Sequence, residues 1–273
     1  MFANDHSIAR NFGDITTTGA GSHGMVANNN SEAFNIGADS IVTWGDGAHG
    51  MVATNTSSAD NSGSITTNGN AAFGMLAETN SFATNSGTIV TDGNGSHGMV
   101  ASADSVATNS GSITTNDFNS NGMLATDQSS VTNSGSIRTN QVGSWGMSAE
   151  DNSTALNTAT GTIEVYGNWS RGGMQAMDHS LAENYGTIEI HTTNQGVGMG
   201  ATTNSTAINY GTIETFGGTS HGMEAYADSS VENQGSITTH GNDSYGMMAE
   251  NRSTGTNSGT IVTSGDRAHG MVA

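Results

Sequence analysis

A methionine preceded by glycine returns along this chain at intervals close to 24 residues. Cutting before each one gives segments that begin at Met1, Met25, Met51, Met75, Met99, Met123, Met147, Met174, Met199, Met223 and Met247, with a twelfth opening at Met271. A repeat of this length is the mark of a solenoid, in which one supersecondary unit buries its apolar face only by stacking on the next.

Within each segment the recurring residues stand at even offsets from the methionine. Alanine follows two residues later, as in Ala3, Ala27, Ala53 and Ala77, and serine six later, from Ser7 and Ser31 to Ser253. Asparagine comes at ten: Asn11, Asn35, Asn61, Asn85, Asn109, Asn133, Asn157, Asn184, Asn209, Asn233 and Asn257. Isoleucine follows four beyond that in the regular segments (Ile15, Ile65, Ile89, Ile113), and threonine commonly two further on. Even spacing is the period of a β-strand with one face turned inward. Three short strands fit one segment: Gly-Met-x-Ala, Ser-x-Ala-x-Asn and Thr/Ser-Ile-x-Thr, joined at corners of Gly, Asn and Asp.

The expected fold class is therefore all-β: a three-sided parallel β-helix with about 24 residues per rung and rungs roughly 4.8 Å apart. It forms a single repetitive domain over residues 1–273, of eleven rungs and the start of a twelfth. Because Met1 already occupies its place in the repeat, the chain is expected to be a section of a longer one. Methionine and isoleucine supply the apolar bulk inside, while alanine and serine fill the narrow sides. The asparagines form an internal ladder, each amide accepting from one rung and donating to the next. Residues added near Ala38–Asp39, Thr158–Thr160, Trp169 and between His191 and Gly198 fall between strands. The corners Trp44–Gly47 and Trp169–Gly172 interrupt the regularity and are candidate contact points.

Composition excludes several classes of function. There is no lysine, the five arginines are scattered, and the net charge is −19, so no basic patch exists for nucleic acid or an anionic membrane. There is no cysteine for a disulfide or thiolate chemistry, and no apolar run long enough to cross a membrane as a helix. No direct membrane insertion of this segment is expected.

The pattern Gly-Thr-Ile-x-Thr-x-Gly-x-x-Ser-x-Gly-Met-x-Ala, read as GTIVTDGNGSHGMVA at Gly87–Ala101 and GTIETFGGTSHGMEA at Gly211–Ala225, resembles the passenger repeats of bacterial autotransporter adhesins. The resemblance covers every rung. It implies an exported extracellular β-solenoid, a stalk or fibre segment at the bacterial cell surface that meets a host or neighbouring-cell surface. The alternative is a filament subunit that stacks on other copies of itself through open β-edges.

Candidate chemistry is sparse. Glu164, Glu189 and Glu214 recur on the outward side of three successive rungs; a weakly bound divalent cation would relieve their repulsion, and otherwise they form a solvated acidic stripe. His23, His49, His97, His221 and His269 share the position two before methionine with Phe73, Trp145 and Tyr245, a mixture that suits stacked planar rings better than a metal site. A carbohydrate-cleaving β-helix would need carboxylates and a basic residue gathered in one groove, and without lysine or aligned arginines such a site is hard to assemble. No catalytic residue and no cofactor are assigned, and the chain is not read as an enzyme.

Overall fold

In the computed structural model, which describes residues 1–167 and 171–273, the repeat becomes a three-sided parallel β-solenoid without helices among those residues. One 12-stranded and two 11-stranded sheets run along its axis, each strand pairing in parallel with its counterparts one rung before and one after. The register matches like with like: Met75 pairs with Met51 and Met99, Asn85 with Asn61 and Asn109, Ile89 with Ile65 and Ile113. The three faces are called here the methionine, asparagine and isoleucine sheets. The corner at Trp169 lies outside the described residues.

Burial alternates along nearly every strand, and the inward columns are the ones that the spacing selects. Met25 through Met223 and Ile41 through Ile237 are almost completely buried, beside the alanine columns. Ten amide-to-amide bonds of 2.7–2.9 Å join all eleven asparagines, Nδ2 of each donating to Oδ1 of the next. The second Nδ2 hydrogen usually reaches a carbonyl two residues on, such as Gly63 O at 3.2 Å from Asn61. Where the corner is lengthened, that acceptor moves to Asp39 for Asn35 and to Gly161 for Asn157. The insertions are thus absorbed at a turn without breaking the ladder.

The serine column works differently from the expected strand position. The strand starts one residue after each serine, at Ser58 after Ser57 for example, and the serine itself closes the corner. Its backbone N–H donates to Oγ of the next rung's serine at 3.0–3.2 Å from Ser7 to Ser253. Just before it stand two consecutive left-handed residues, such as Asn29 and Asn30 or Asp151 and Asn152. Asparagine and aspartate adopt that conformation most readily among non-glycine residues. The glycine before methionine meets a different constraint: a Cβ on Gly74 would collide with Ile89 Cγ2 and the carbonyl oxygen of Gly98. The isoleucine and methionine sheets approach too closely there for any side chain.

Candidate functional site

Glu164, Glu189 and Glu214 do lie in register on the outside of the isoleucine sheet. Each has its own neighbour, however. Glu164 accepts from Tyr166 OH at 3.2 Å and lies 3.7 Å from Arg138, Glu189 meets His191 Nε2 at 3.0 Å, and Glu214 meets His240 Nε2 at 2.7 Å. Among the described residues no group of three His, Asp or Glu side chains is placed to hold a metal ion. The neighbours themselves stack: Arg138 over Tyr166 at 4.0 Å, then His191, Phe216 and His240 with centroids 4.7–5.0 Å apart.

The histidine column is likewise a stack of planar side chains. His23, His49 and Phe73 follow one another at 4.9 and 4.7 Å, and His221 lies 4.8 Å from Tyr245. His23, His49, His97 and His221 also have a backbone task, because Nδ1 of each accepts the N–H of the residue one rung on: His49 for His23, Phe73 for His49, Asn121 for His97 and Tyr245 for His221. Asn121 takes over that task through Oδ1, accepting Trp145 N at 2.9 Å. Burial lowers His49, His97 and His221 to about 4, with His23 adding to the effect at His49. Neutral rings with a free Nδ1 acceptor are what this arrangement requires.

A concave site, which neither column marked, opens on the outside of the methionine sheet. The residue after each methionine is apolar from Val26 through Val52, Leu76, Val100 and Leu124, then changes to Ser148, Gln175, Gly200 and Glu224. Over the same rungs the strands lengthen to six residues, at Gly172–Met177, Val197–Thr202 and His221–Tyr226. Two adjoining hollows of about 290 and 250 Å³ result, both walled by Glu224 and Tyr226. Trp145 lies along the smaller one. A Cβ on Gly172 would meet its Cζ3, and one on Gly200 would come within 3.3 Å of its Cη2, so the two glycines make room for the indole.

Trp145 Nε1 and Gln175 Oε1 are buried with no hydrogen-bond partner among the described residues, as are the Thr139 and Thr239 hydroxyls of the inner threonine column. Burial, reinforced by Glu250, pushes the Glu224 carboxyl up to about 7. His221 Nε2 lies 3.6 Å from Glu224 Oε1, too long for a hydrogen bond, and burial holds that ring neutral as well. Burial and the two glutamates raise the Tyr226 hydroxyl to about 12. Perturbed titration inside a cavity is a physical pointer to a binding or reactive site. The signal of this cleft in the sequence is the break in the Val/Leu column; Trp145 stands there only as one member of the ring column. Trp44, by contrast, stands 57% exposed in an earlier part of the stack.

A family model described as the BigA third pectate lyase-like domain matches residues 1–161, 120–192, 142–244 and 217–273, which together span the chain. No curated protein and no solved structure matches significantly.

Proposed function

The chain belongs to the family of the BigA third pectate lyase-like domain, and from that premise we propose that it is an adhesive rod segment displayed outside a bacterial cell. Its partner is a host or neighbouring-cell surface. Three continuous parallel ladders supply the stiffness, since each rung is fixed by the ones on either side. The outer face of the methionine sheet supplies the contact.

The observation that carries this reading is the local cleft. At the stretch where the Val/Leu column stops, the outer face opens into two hollows walled by Tyr226 and by Glu224, a carboxyl pushed up to about 7, and a purely structural stalk has no use for such a cleft. The reading is non-catalytic. "Pectate lyase-like" describes a fold, and fold alone does not assign a reaction; neither hollow is lined by arginine or lysine. Beads coated with the purified chain should attach to epithelial or bacterial cell layers well above albumin-coated beads. Attachment at the albumin level on every cell type would overturn the adhesive reading.

A further inference from the structure

The cleft beside Trp145 offers a ligand side chains and almost nothing else. The strands that floor it are paired on both sides, Gly172–Met177 with Trp145–Ala149 and Val197–Thr202, and His221–Tyr226 with Val197–Thr202 and Met247–Ala249. Their main-chain groups are consumed by the ladder, so a peptide cannot be added here as another strand. What remains is a set of separate donors and acceptors around an aromatic rim: the Gln175 amide, the Thr202 and Tyr226 hydroxyls and the Glu224 carboxyl, with the Trp145 edge behind them.

Charge narrows the choice further. No arginine or lysine lines either hollow, and the whole chain carries −19, so a phosphate, sulfate or uronate would enter without a counter-charge. A metal ion finds no cluster of ligands there among the described residues. A purely apolar ligand would strip water from the half-buried Thr202 and Tyr226 hydroxyls and the Glu224 carboxyl without replacing their hydrogen bonds, which costs free energy at each group. A compact, uncharged ligand rich in hydroxyls satisfies all of these conditions, and each hollow is near the lower size of a small-molecule site, roughly 300 Å³.

We propose that this cleft binds an uncharged sugar unit of a glycan, its ring against Tyr226 and its hydroxyls on Gln175, Thr202 and Glu224. The assignment deepens the adhesive reading and rests on it for its setting at a cell surface. The test is direct binding of the purified chain to immobilised cello-, laminari-, manno- and lacto-oligosaccharides, with polygalacturonate as the anionic comparison. At least one neutral oligosaccharide should bind, and polygalacturonate should not. Tyr226→Ala and Gln175→Ala should each weaken that binding about tenfold, the loss of roughly one hydrogen bond or ring contact. Glu78→Gln, on the same sheet away from the cleft, should leave it unchanged, and circular dichroism should confirm that all three variants keep the β-fold. Blank neutral sugars, a preference for polygalacturonate, or binding that both cleft variants leave intact would each overturn the assignment. The bead experiment separates the two readings. Cell attachment without sugar binding would sink the saccharide alone, and sugar binding without cell attachment would sink the adhesive role.

Discussion

Replacing Asn109 by alanine tests whether the internal amide ladder holds the solenoid together. Asn109 is completely buried; it accepts from Asn85 Nδ2 at 2.8 Å, donates to Asn133 Oδ1 at 2.8 Å and reaches Gly111 O at 3.2 Å. Alanine removes all three bonds. Gly111 O keeps the Ser136 N–H at 2.9 Å, but one Asn85 N–H and the Asn133 Oδ1 are left buried and unpaired. At about 1–3 kcal/mol for each orphaned group, the loss comes to about 2–6 kcal/mol. The matched control is Asn116→Ala on the outer surface. There Asn140 donates to Asn116 and Asn116 to Asp92, both at 2.7 Å, so the geometry is the same but water can replace either partner. Its cost should stay within about 0.5 kcal/mol, as for ordinary surface changes. Urea unfolding followed by circular dichroism measures both variants, and amide hydrogen exchange shows whether the loss centres on the rungs of Asn85, Asn109 and Asn133. Equal stabilities for the two variants, within about 0.5 kcal/mol, would refute the view that burial makes the ladder stabilising.

Three further outcomes are expected. Burial holds His49, His97 and His221 at about 4 against an unfolded value of 6.5, so the unfolded chain binds more protons between those limits. Stability is thus complete above pH 6.5 and falls as the pH drops towards 4, by up to about 3 kcal/mol per histidine. His97→Asn, which keeps a backbone acceptor as Asn121 does, should flatten that loss in thermal melts taken from pH 7 to 4, and an unchanged slope would argue against it. Glu224 works in the opposite sense: raised to about 7, it favours the fold at low pH, and that advantage is lost as the pH rises from 4.5 through 7. Glu224→Gln should therefore stabilise the protein by up to about 3 kcal/mol at pH 8 and make little difference at pH 4, as read by denaturant midpoints. Gly74→Ala should cost about 1–3 kcal/mol in urea unfolding, because its Cβ would press on Ile89 and on backbone that cannot yield; a neutral result would mean that the two sheets separate easily.

The agreement between sequence and structure is closest where one residue performs one task in every rung. Period-two spacing of Met, Ala, Asn and Ile determined three inward-facing strands, because a strand has only two faces and the apolar one must go inside. The asparagine ladder was legible for the same reason, since an amide has both a donor and an acceptor and parallel stacking superimposes equal offsets. The passenger-repeat resemblance agrees with the family match. Spacing could not show that the serines close corners through their hydroxyls, or that Glu164, Glu189 and Glu214 are each engaged by a neighbour. Those depend on where side chains from adjacent rungs end, and a repeat unit read alone contains no neighbour.

The cleft is assembled only in the tertiary structure, although the break in the Val/Leu column marks its rungs in the sequence. Trp145, Gln175, Gly200 and Glu224 belong to successive rungs and are separated by about one repeat each in the chain; only coiling sets them side by side. The sequence by itself determined the path of the backbone, because hydrophobic period and turn residues are local properties. Stacking alone decided which outward side chains meet, which of them lose water, and hence which carboxyl has its titration pushed up to about 7.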